Sequence, residues 1–184
     1  MRPTILRAAF AVIALPGMLG LSAAPAASPA PAGKKIVVGQ PAPPFSLTTF
    51  DKQKIASADL RGQVVVINLW ATWCAPCKAE MPMMDAYYRA NKDKGLRIFG
   101  VQTEDSVAPF RLKEVAAVLS YPLSLQFRGD AYKRMEAVPT SFVIDRTGIV
   151  RYAKSGAFTH SSFDALLRPL LAEKAPADST AAAQ

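Results

Sequence analysis

The chain contains two cysteines, Cys74 and Cys77, which lie three positions apart. An apolar run from Val64 to Trp70 leads into the pair, and a helical-looking stretch follows it. At the start of a helix, free backbone N–H groups and the helix dipole favour the thiolate form of Cys74. The spacing therefore predicts thiol–disulfide exchange, in which Cys74 attacks a disulfide and Cys77 resolves the mixed disulfide.

Other uses of a Cys-x-x-Cys pair fit this sequence less well. A structural disulfide that closes so short a loop removes little entropy from the unfolded chain. A structural zinc site needs four ligands, and the only histidine is His160. Covalent haem attachment requires a histidine directly after the second cysteine, where this chain has Lys78. We therefore predict no metal at the pair and interpret it as a redox site.

The elements around the cysteines form a β-α-β unit. Residues 64–70 are almost continuously apolar and rich in valine, as expected for a strand with both faces buried. The predicted helix runs from the cysteines to about Lys92, and a second strand covers 96–101. The two strands should be parallel, with a right-handed crossover through the helix.

Further elements are predicted along the rest of the chain. They are a hairpin around 51–54, a helix over 107–119, a strand over 124–127, a short helix over 130–137, a hairpin of 141–145 and 149–152, and a last amphipathic helix carrying Phe163, Leu166, Leu167, Leu170 and Leu171. Pro169 falls inside the last helix and is expected to kink or shorten it.

The N-terminus has the features of a secretory signal peptide. Arg2 and Arg7 precede an apolar run over 8–21, and small residues follow that run. Cleavage after Ala26, or after Ala24, would satisfy the small-x-small rule. An uncleaved membrane anchor is the alternative, although the apolar run is short for a spanning helix of about 20 residues.

Composition and charge bound the rest of the molecule. With 184 residues, of which 51% are hydrophobic, one domain is expected, over 36–173. Residues 27–35 read as an Ala/Pro-rich linker and 174–184 as a disordered tail. The net charge of +8 is scattered, without a long basic block, so nucleic acid is a poor candidate partner.

Four segments resemble the thioredoxin superfamily, and specifically its exported TlpA/ResA-type branch. They are Trp70–Lys78, Ala79–Pro82, the Gly39–Phe45 segment, which is similar to that of peroxiredoxin relatives, and Val138–Asp145. The resemblance implies a thioredoxin fold: a three-layer α/β/α structure with a mixed central sheet, an N-terminal β extension and a central insert.

The resemblance also implies roles for single residues. Pro139 matches the family's cis-proline, which lies against the cysteine pair and leaves the backbone at Val138 free to bind an extended substrate. Glu80 matches an acidic residue of the exported reductases, which would pass protons to and from Cys77. Asn68 stands where ordinary thioredoxins have a buried acid, and Glu80 would replace that carboxylate.

Three kinds of residue near the pair keep two interpretations each. Trp73 contacts substrate or belongs to the core. Met81, Met83 and Met84 are expected to pack in the core, although thioethers are also soft copper ligands. His160 is expected at the surface or at a helix start, and as a metal ligand only in a copper-delivering protein.

The predicted function is that of an exported protein-disulfide reductase, located in the periplasm, that needs no bound cofactor. Ala75 and Pro76 provide no charge or imidazole to hold a thiolate, which favours a reductant over an oxidant. Family substrates are apocytochrome c and copper-centre assembly proteins, and a membrane electron-donor thiol reductase is the implied partner. A monomer is expected.

Two alternatives come from other functional classes. The first is a Cu(I)-binding chaperone for oxidase assembly, in which the two cysteines and a methionine or His160 hold the metal. The second is a thiol peroxidase, suggested by the Gly39–Phe45 segment. The peroxidase reading is weaker, because the Pro-x-x-x-Thr-x-x-Cys loop of that family is missing from the sequence.

Overall fold

The computed structural model describes residues 35–103, 107–134 and 137–176 of the 184-residue chain. The expected signal peptide or anchor over 1–26, nearly all of the linker and most of the tail lie outside these residues. Within the described ranges, no helix is both long enough and apolar enough to span a bilayer.

The described chain contains seven strands and four α-helices. The strands are β1 (Ser46–Thr49), β2 (Lys54–Ala56), β3 (Val64–Trp70), β4 (Leu96–Gln102), β5 (Ser124–Arg128), β6 (Thr140–Ile144) and β7 (Val150–Ser155). The helices are α1 (Ala75–Asn91), α2 (Lys113–Val118), α3 (Asp130–Lys133) and α4 (His160–Ala172).

A four-stranded mixed sheet forms the centre, in the order β4-β3-β6-β7. Strand β3 is parallel to β4 and antiparallel to β6, which in turn is antiparallel to β7. All seven residues of β3 are buried, as their β-branched and apolar character predicts. Helix α1 connects β3 to β4, so the predicted β-α-β unit is confirmed.

A second, three-stranded antiparallel sheet contains the N-terminal extension and the strand of the insert, in the order β2-β1-β5. It adjoins the central sheet where Gly100 of β4 forms a bridge with Leu123, just before β5. A Cβ atom on Gly100 would collide with the Leu123 side chain, so glycine permits this close approach.

The two faces of the central sheet carry separate apolar clusters, which give the expected three layers. Helices α1 and α4 cover one face, with Met81, Met84, Tyr87, Phe163, Leu167 and Leu170 packed on Val64, Val66 and Trp70. A 3-10 helix at Ser57–Leu60 and helix α3 lie on the other face, with Leu60 and Tyr132 in a cluster that includes Val65, Ile67 and Phe142.

Two helices of the insert region are shorter than predicted. The helix expected over 107–119 is a 3-10 helix at Pro109–Leu112 followed by α2, because this segment has little apolar surface to bury: Leu112 is buried, but Val118 is 77% exposed. The helix expected over 130–137 ends at Lys133. Ala137 and Val138 are not helical, and Pro139 disfavours helical backbone at the residue before it.

The other predicted helices and strands agree with the structure to within a few residues. The hairpin around 51–54 is β1–β2, and that around 146–148 is β6–β7. Pro169 lies inside α4, but the helix continues to Ala172, so the proline does not end it.

Candidate active site

The two cysteines lie at the junction of β3 and α1. Cys74 is the N-cap of α1, and its Sγ accepts a hydrogen bond from the backbone N–H of Cys77 at 3.2 Å. The two sulfurs are joined in a disulfide. Both residues are almost fully enclosed, with 3% of Cys74 and 1% of Cys77 exposed. The structure therefore places the oxidised pair at a helix N-terminus, as the spacing predicts.

The loop before the pair has one exposed aromatic side chain. Trp70 ends β3 and is buried in the core, whereas Trp73 is 61% exposed. The loop turns tightly, with the Cys74 N–H donating to the Ala71 carbonyl at 3.1 Å. Of the two interpretations of Trp73, membership of the core is therefore wrong, and the indole is available to a docking protein.

Pro139 lies at the same end of the central sheet as the cysteines. The Val138–Pro139 peptide bond is cis, as the family resemblance implies. Thr140, the first residue of β6, pairs with Leu69 near the end of β3, so Pro139 is level with the strand end that leads to Cys74. The Pro139 carbonyl accepts a hydrogen bond from the Gly156 N–H at 2.8 Å, which ties the end of β7 to this edge.

Glu80 is a buried carboxyl one helical turn after Cys77. Only 3% of it is exposed. Its Oε1 accepts from Asn68 Nδ2 and its Oε2 from the backbone N–H of Phe158, both at 2.8 Å. Burial raises the pKa of Glu80, and the hydrogen bonds from Phe158 and Asn68 partly oppose that rise. Because residues i and i+3 share a helix face, Cys77 and Glu80 both point toward the sheet.

Asn68 connects Glu80 to the central sheet. It is a fully buried residue of β3, paired in register with Ser141 of β6, and its Nδ2 also donates to Ser141 Oγ at 3.0 Å. Sequence reasoning singled out Asn68 but missed Ser141 and Phe158. The strand register, once known, identifies Ser141 as its neighbour. Phe158 contributes its backbone N–H, and a phenylalanine in the sequence gives no indication of that contact.

The charge of Glu80 contributes to raised pKa values at two tyrosines. Burial raises the pKa of Tyr121, and the charges of Asp85 and Glu80 raise it further. Burial followed by the charge of Glu80 likewise raises the pKa of Tyr152. Both phenols therefore remain protonated over the range in which a carboxyl titrates.

The methionines considered for copper pack in the apolar cluster that also contains the cysteines, whereas His160 lies at the surface. Met81 and Met84 are buried in the core, as predicted, with 6% and 0% exposed. His160 is the exposed first residue of α4 and lies with its ring against Tyr87, at a centroid distance of 6.2 Å. Among the residues that the structure describes, no three His, Cys, Asp or Glu side chains converge as a metal site would require.

The sequence matches known proteins over the same region. Residues 38–153 match the AhpC/TSA family. The thiol-disulfide oxidoreductase ResA of Bacillus thuringiensis subsp. konkukian is 30% identical over 139 residues, which cover 74% of this chain and 80% of that protein. The thioredoxin-like protein YneN of Bacillus subtilis is 32% identical over 130 residues, covering 68% of this chain and 76% of the other.

Solved structures agree with these relatives. A thiol:disulfide interchange protein of the thioredoxin family from Chlorobium tepidum superposes with a TM-score of 0.63 at 26% identity, over 73% of this chain and 98% of that one. StoA from Bacillus subtilis superposes with a TM-score of 0.55 at 25% identity, over 70% of this chain and 98% of StoA. With its Cys-x-x-Cys pair at the start of α1, the chain belongs to the AhpC/TSA family and, within it, to the ResA-type thiol-disulfide oxidoreductases of thioredoxin fold.

Proposed function

We propose that the chain is an exported disulfide reductase that acts on protein substrates through Cys74 and Cys77. The observation that carries the proposal is the buried carboxyl of Glu80 beside a cysteine pair that encloses only Ala75 and Pro76. Neither intervening residue provides a cation or an imidazole, and a nearby carboxylate repels a thiolate. A thiolate stabilised by the helix N-terminus alone, without a cation or an imidazole, makes the reduced pair a stronger electron donor than one that has such a group.

The reaction transfers two electrons from the cysteine pair to the substrate. The Cys74 thiolate attacks one substrate sulfur, forms a mixed disulfide and releases the other substrate sulfur as a thiolate. Ionised Glu80 accepts the proton of the Cys77 thiol. The Cys77 thiolate then attacks Cys74 Sγ, which closes the intramolecular disulfide and releases the second substrate thiolate. The protein's own sulfurs carry the electrons, so no bound cofactor is required.

Substrate binding would use the surface around the pair. Trp73, at 61% exposure, offers an apolar contact beside Cys74. The backbone at Val138 and Pro139 lies at the same sheet end, where an extended substrate segment would bind along it. This arrangement favours a protein substrate over a small molecule, because the contact surface is an open edge.

The biological setting is also a proposal. The charged and then apolar N-terminus supports export to the periplasm, by a cleaved signal or with an anchor in the inner membrane. A reductase in that oxidising compartment must be re-reduced by a membrane electron-donor thiol reductase. Apocytochrome c and copper-centre assembly proteins are substrates of suitable chemistry, since both need reduced cysteines. We expect a monomer.

The decisive measurement is the reduction potential of the Cys74–Cys77 couple, equilibrated against dithiothreitol or glutathione and followed by tryptophan fluorescence. A reductase should have a potential near or below about −270 mV, the value for thioredoxin. A potential near about −120 mV would instead identify an oxidant that introduces disulfides and would overturn the proposed direction.

A further inference from the structure

Glu80 lies in a closed set of hydrogen-bonding groups that we call the carboxyl cluster: the side chains of Asn68, Glu80 and Ser141 and the backbone N–H of Phe158. Asn68 Nδ2 donates both to Glu80 Oε1, at 2.8 Å, and to Ser141 Oγ, at 3.0 Å. The Phe158 N–H donates to Glu80 Oε2 at 2.8 Å. Asn68 and Ser141 are completely buried. In this arrangement each carboxyl oxygen of Glu80 accepts a hydrogen bond, as an ionised carboxylate does.

One atom of the carboxyl cluster is unsatisfied. Asn68 Oδ1 is buried and makes no hydrogen bond within the part of the chain that the structure describes. A buried amide oxygen without a partner is uncommon in folded proteins and calls for an explanation. Asn68 therefore has an unused hydrogen-bond acceptor directly beside Glu80, whose carboxyl gains and loses a proton.

The backbone decides which oxygen of Glu80 can carry a proton. The Phe158 N–H can only donate, so Oε2 must remain an acceptor in both charge states. A proton bound to Glu80 is therefore placed on Oε1, the oxygen that faces Asn68. With the amide as it stands, the new O–H group would meet the Asn68 NH2, which is also a donor.

A half-turn of the Asn68 side-chain amide resolves this conflict. The rotation exchanges Nδ2 and Oδ1, so the unsatisfied oxygen reaches Glu80 Oε1 and accepts from its O–H. The NH2 moves to the position that the oxygen held, where the described residues offer Oδ1 no partner. The Ser141 hydroxyl, which can donate or accept, turns its hydrogen toward the same oxygen. No covalent bond changes, and the only species gained is the proton on Oε1.

We propose that Asn68 is a positioning residue that holds Glu80 in both charge states by reversing its amide, with Nδ2 donating to the carboxylate and Oδ1 accepting from the carboxylic acid. This inference rests on the proposed function, in which Glu80 exchanges a proton with Cys77. It gives a physical reason for an asparagine at this position of β3. A leucine offers neither group, and an ionised aspartate would repel Glu80.

Several other titratable groups lie on the elements packed around Glu80. Tyr121, before β5, and Tyr152, on β7, stay protonated because burial and negative charge raise their pKa values. On α4, Asp164 accepts from the Tyr87 hydroxyl at 3.1 Å, and His160 lies edge-on against the same ring. On α1, Asp85 pairs with Arg89 at 2.6 Å, and Cys77 in the disulfide does not titrate.

The test is an NMR titration of the full-length oxidised protein, followed at the Glu80 carboxyl carbon and at the Asn68 side-chain amide. If the amide reverses, its 1H and 13C signals move from a donor to an acceptor signature with the same midpoint as Glu80. Glu80→Gln gives an independent check. Its oxygen must face the Phe158 N–H and its NH2 must face Asn68, so Asn68 should show the acid-limit signals at every pH.

Asn68 signals that keep the donor signature at both limits, or in Glu80→Gln, would overturn the inference. A second measurement compares the Glu80 midpoint in Asn68→Leu. Removing a group that serves both charge states should change the protonation equilibrium by less than about tenfold, whereas loss of a fixed donor should favour protonation by more than about tenfold. Ser141→Ala is the matched control, since it removes a contact to Asn68 and none to Glu80.

The two proposals fail in different ways. If the Asn68 signals stay fixed while the wild-type protein reduces protein disulfides, only the amide reversal is wrong. If the amide reverses but the couple is oxidising, only the reductase direction is wrong. The wild-type titration needs no variant, so it tests the amide reversal even if Asn68→Leu fails to fold.

Discussion

At the scale of single residues, the position of each cysteine explains the division of labour we propose. Cys74 caps α1, where its sulfur already accepts a backbone N–H and the helix dipole favours negative charge. Cys77 lies within the first turn, is 1% exposed and has Glu80 one turn further along the helix. The first sulfur is therefore suited to attack and the second to resolution.

This division predicts opposite behaviour for two serine variants. Cys77→Ser should trap a mixed disulfide with substrate through Cys74, because the resolving thiol is missing. Cys74→Ser should trap far less, since Cys77 lacks the N-cap position that favours the thiolate of Cys74. Gel mobility shift under non-reducing conditions, followed by mass spectrometry of the adduct, measures both. Trapping predominantly by Cys74→Ser would reverse the assignment.

The burial of Glu80 predicts a stability that depends on pH in a particular direction. The folded-state pKa is raised above the ordinary 4.5, so the folded protein binds a proton that the unfolded chain releases. Stability should therefore fall as pH rises from 4.5 through the folded-state pKa. Glu80→Gln cannot titrate and should lack this component.

Urea unfolding of the oxidised proteins at several pH values tests the effect as the difference between wild type and Glu80→Gln. That difference should shift in favour of the variant as pH rises through the window. Glu114→Gln, at an exposed position of α2, is the control and should parallel the wild type. A wild-type-minus-variant difference that is independent of pH would contradict the raised pKa.

At the scale of elements, the β6–β7 turn depends on one carboxylate. Asp145, 2% exposed, accepts at Oδ1 from the N–H and the hydroxyl of Thr147 and from the Ile149 N–H. Its Oδ2 accepts from Arg151 Nε at 2.5 Å. Burial alone would raise the pKa of Asp145, but these hydrogen bonds outweigh it and the pKa is lowered.

We expect Asp145→Ala to reduce the free energy of unfolding by about 2 kcal/mol at neutral pH, the scale for losing hydrogen bonds to a buried charged group. Because the pKa is lowered, this stabilisation exists above the ordinary 3.8 and is lost as pH falls through the folded-state value. Urea unfolding measures it. Asp93→Ala, at an exposed site, should change stability by less than about 0.5 kcal/mol, and an equal loss in both variants would contradict the argument.

At the scale of the whole molecule, Arg146 joins several elements at the sheet end opposite the cysteines. Its guanidinium donates to the carbonyls of Gly62, before β3, and Lys94, before β4, both at 2.7 Å. It also donates to Leu171 in the last turn of α4, at 3.0 Å. The residue is 8% exposed, so its hydrogen bonds are largely shielded from water.

Arg146→Ala should therefore destabilise the fold without changing its redox chemistry. Removal leaves the carbonyls of Gly62, Lys94 and Leu171 without this donor, and we expect a loss of about 3 kcal/mol in the free energy of unfolding. The reduction potential of the cysteine couple should stay within the error of the wild type, since the two sites are at opposite ends of the sheet. Arg111→Ala, an exposed control, should alter neither quantity. A changed potential in Arg146→Ala would indicate coupling across the sheet.

Much of the fold was predictable because its signals are local. The apolar run of β3 and the β-α-β unit follow from residue patterns that depend on burial and strand length. The length of the insert helix was not predictable, because α2 buries little apolar surface and its extent depends on the tertiary contacts available. The pairing of β5 with β1, outside the central sheet, joins segments far apart in the sequence, which no local pattern reveals.

The sequence by itself determined the chemistry: two cysteines at a helix start, a carboxyl one turn later and a proline matched to the family site. Covalent identity and spacing along one helix are enough to specify these features. Tertiary structure decided how the carboxyl is held, because Asn68, Ser141 and Phe158 come from three distant segments. Hydrogen bonds between such segments depend on strand register and loop path, which only the folded chain establishes.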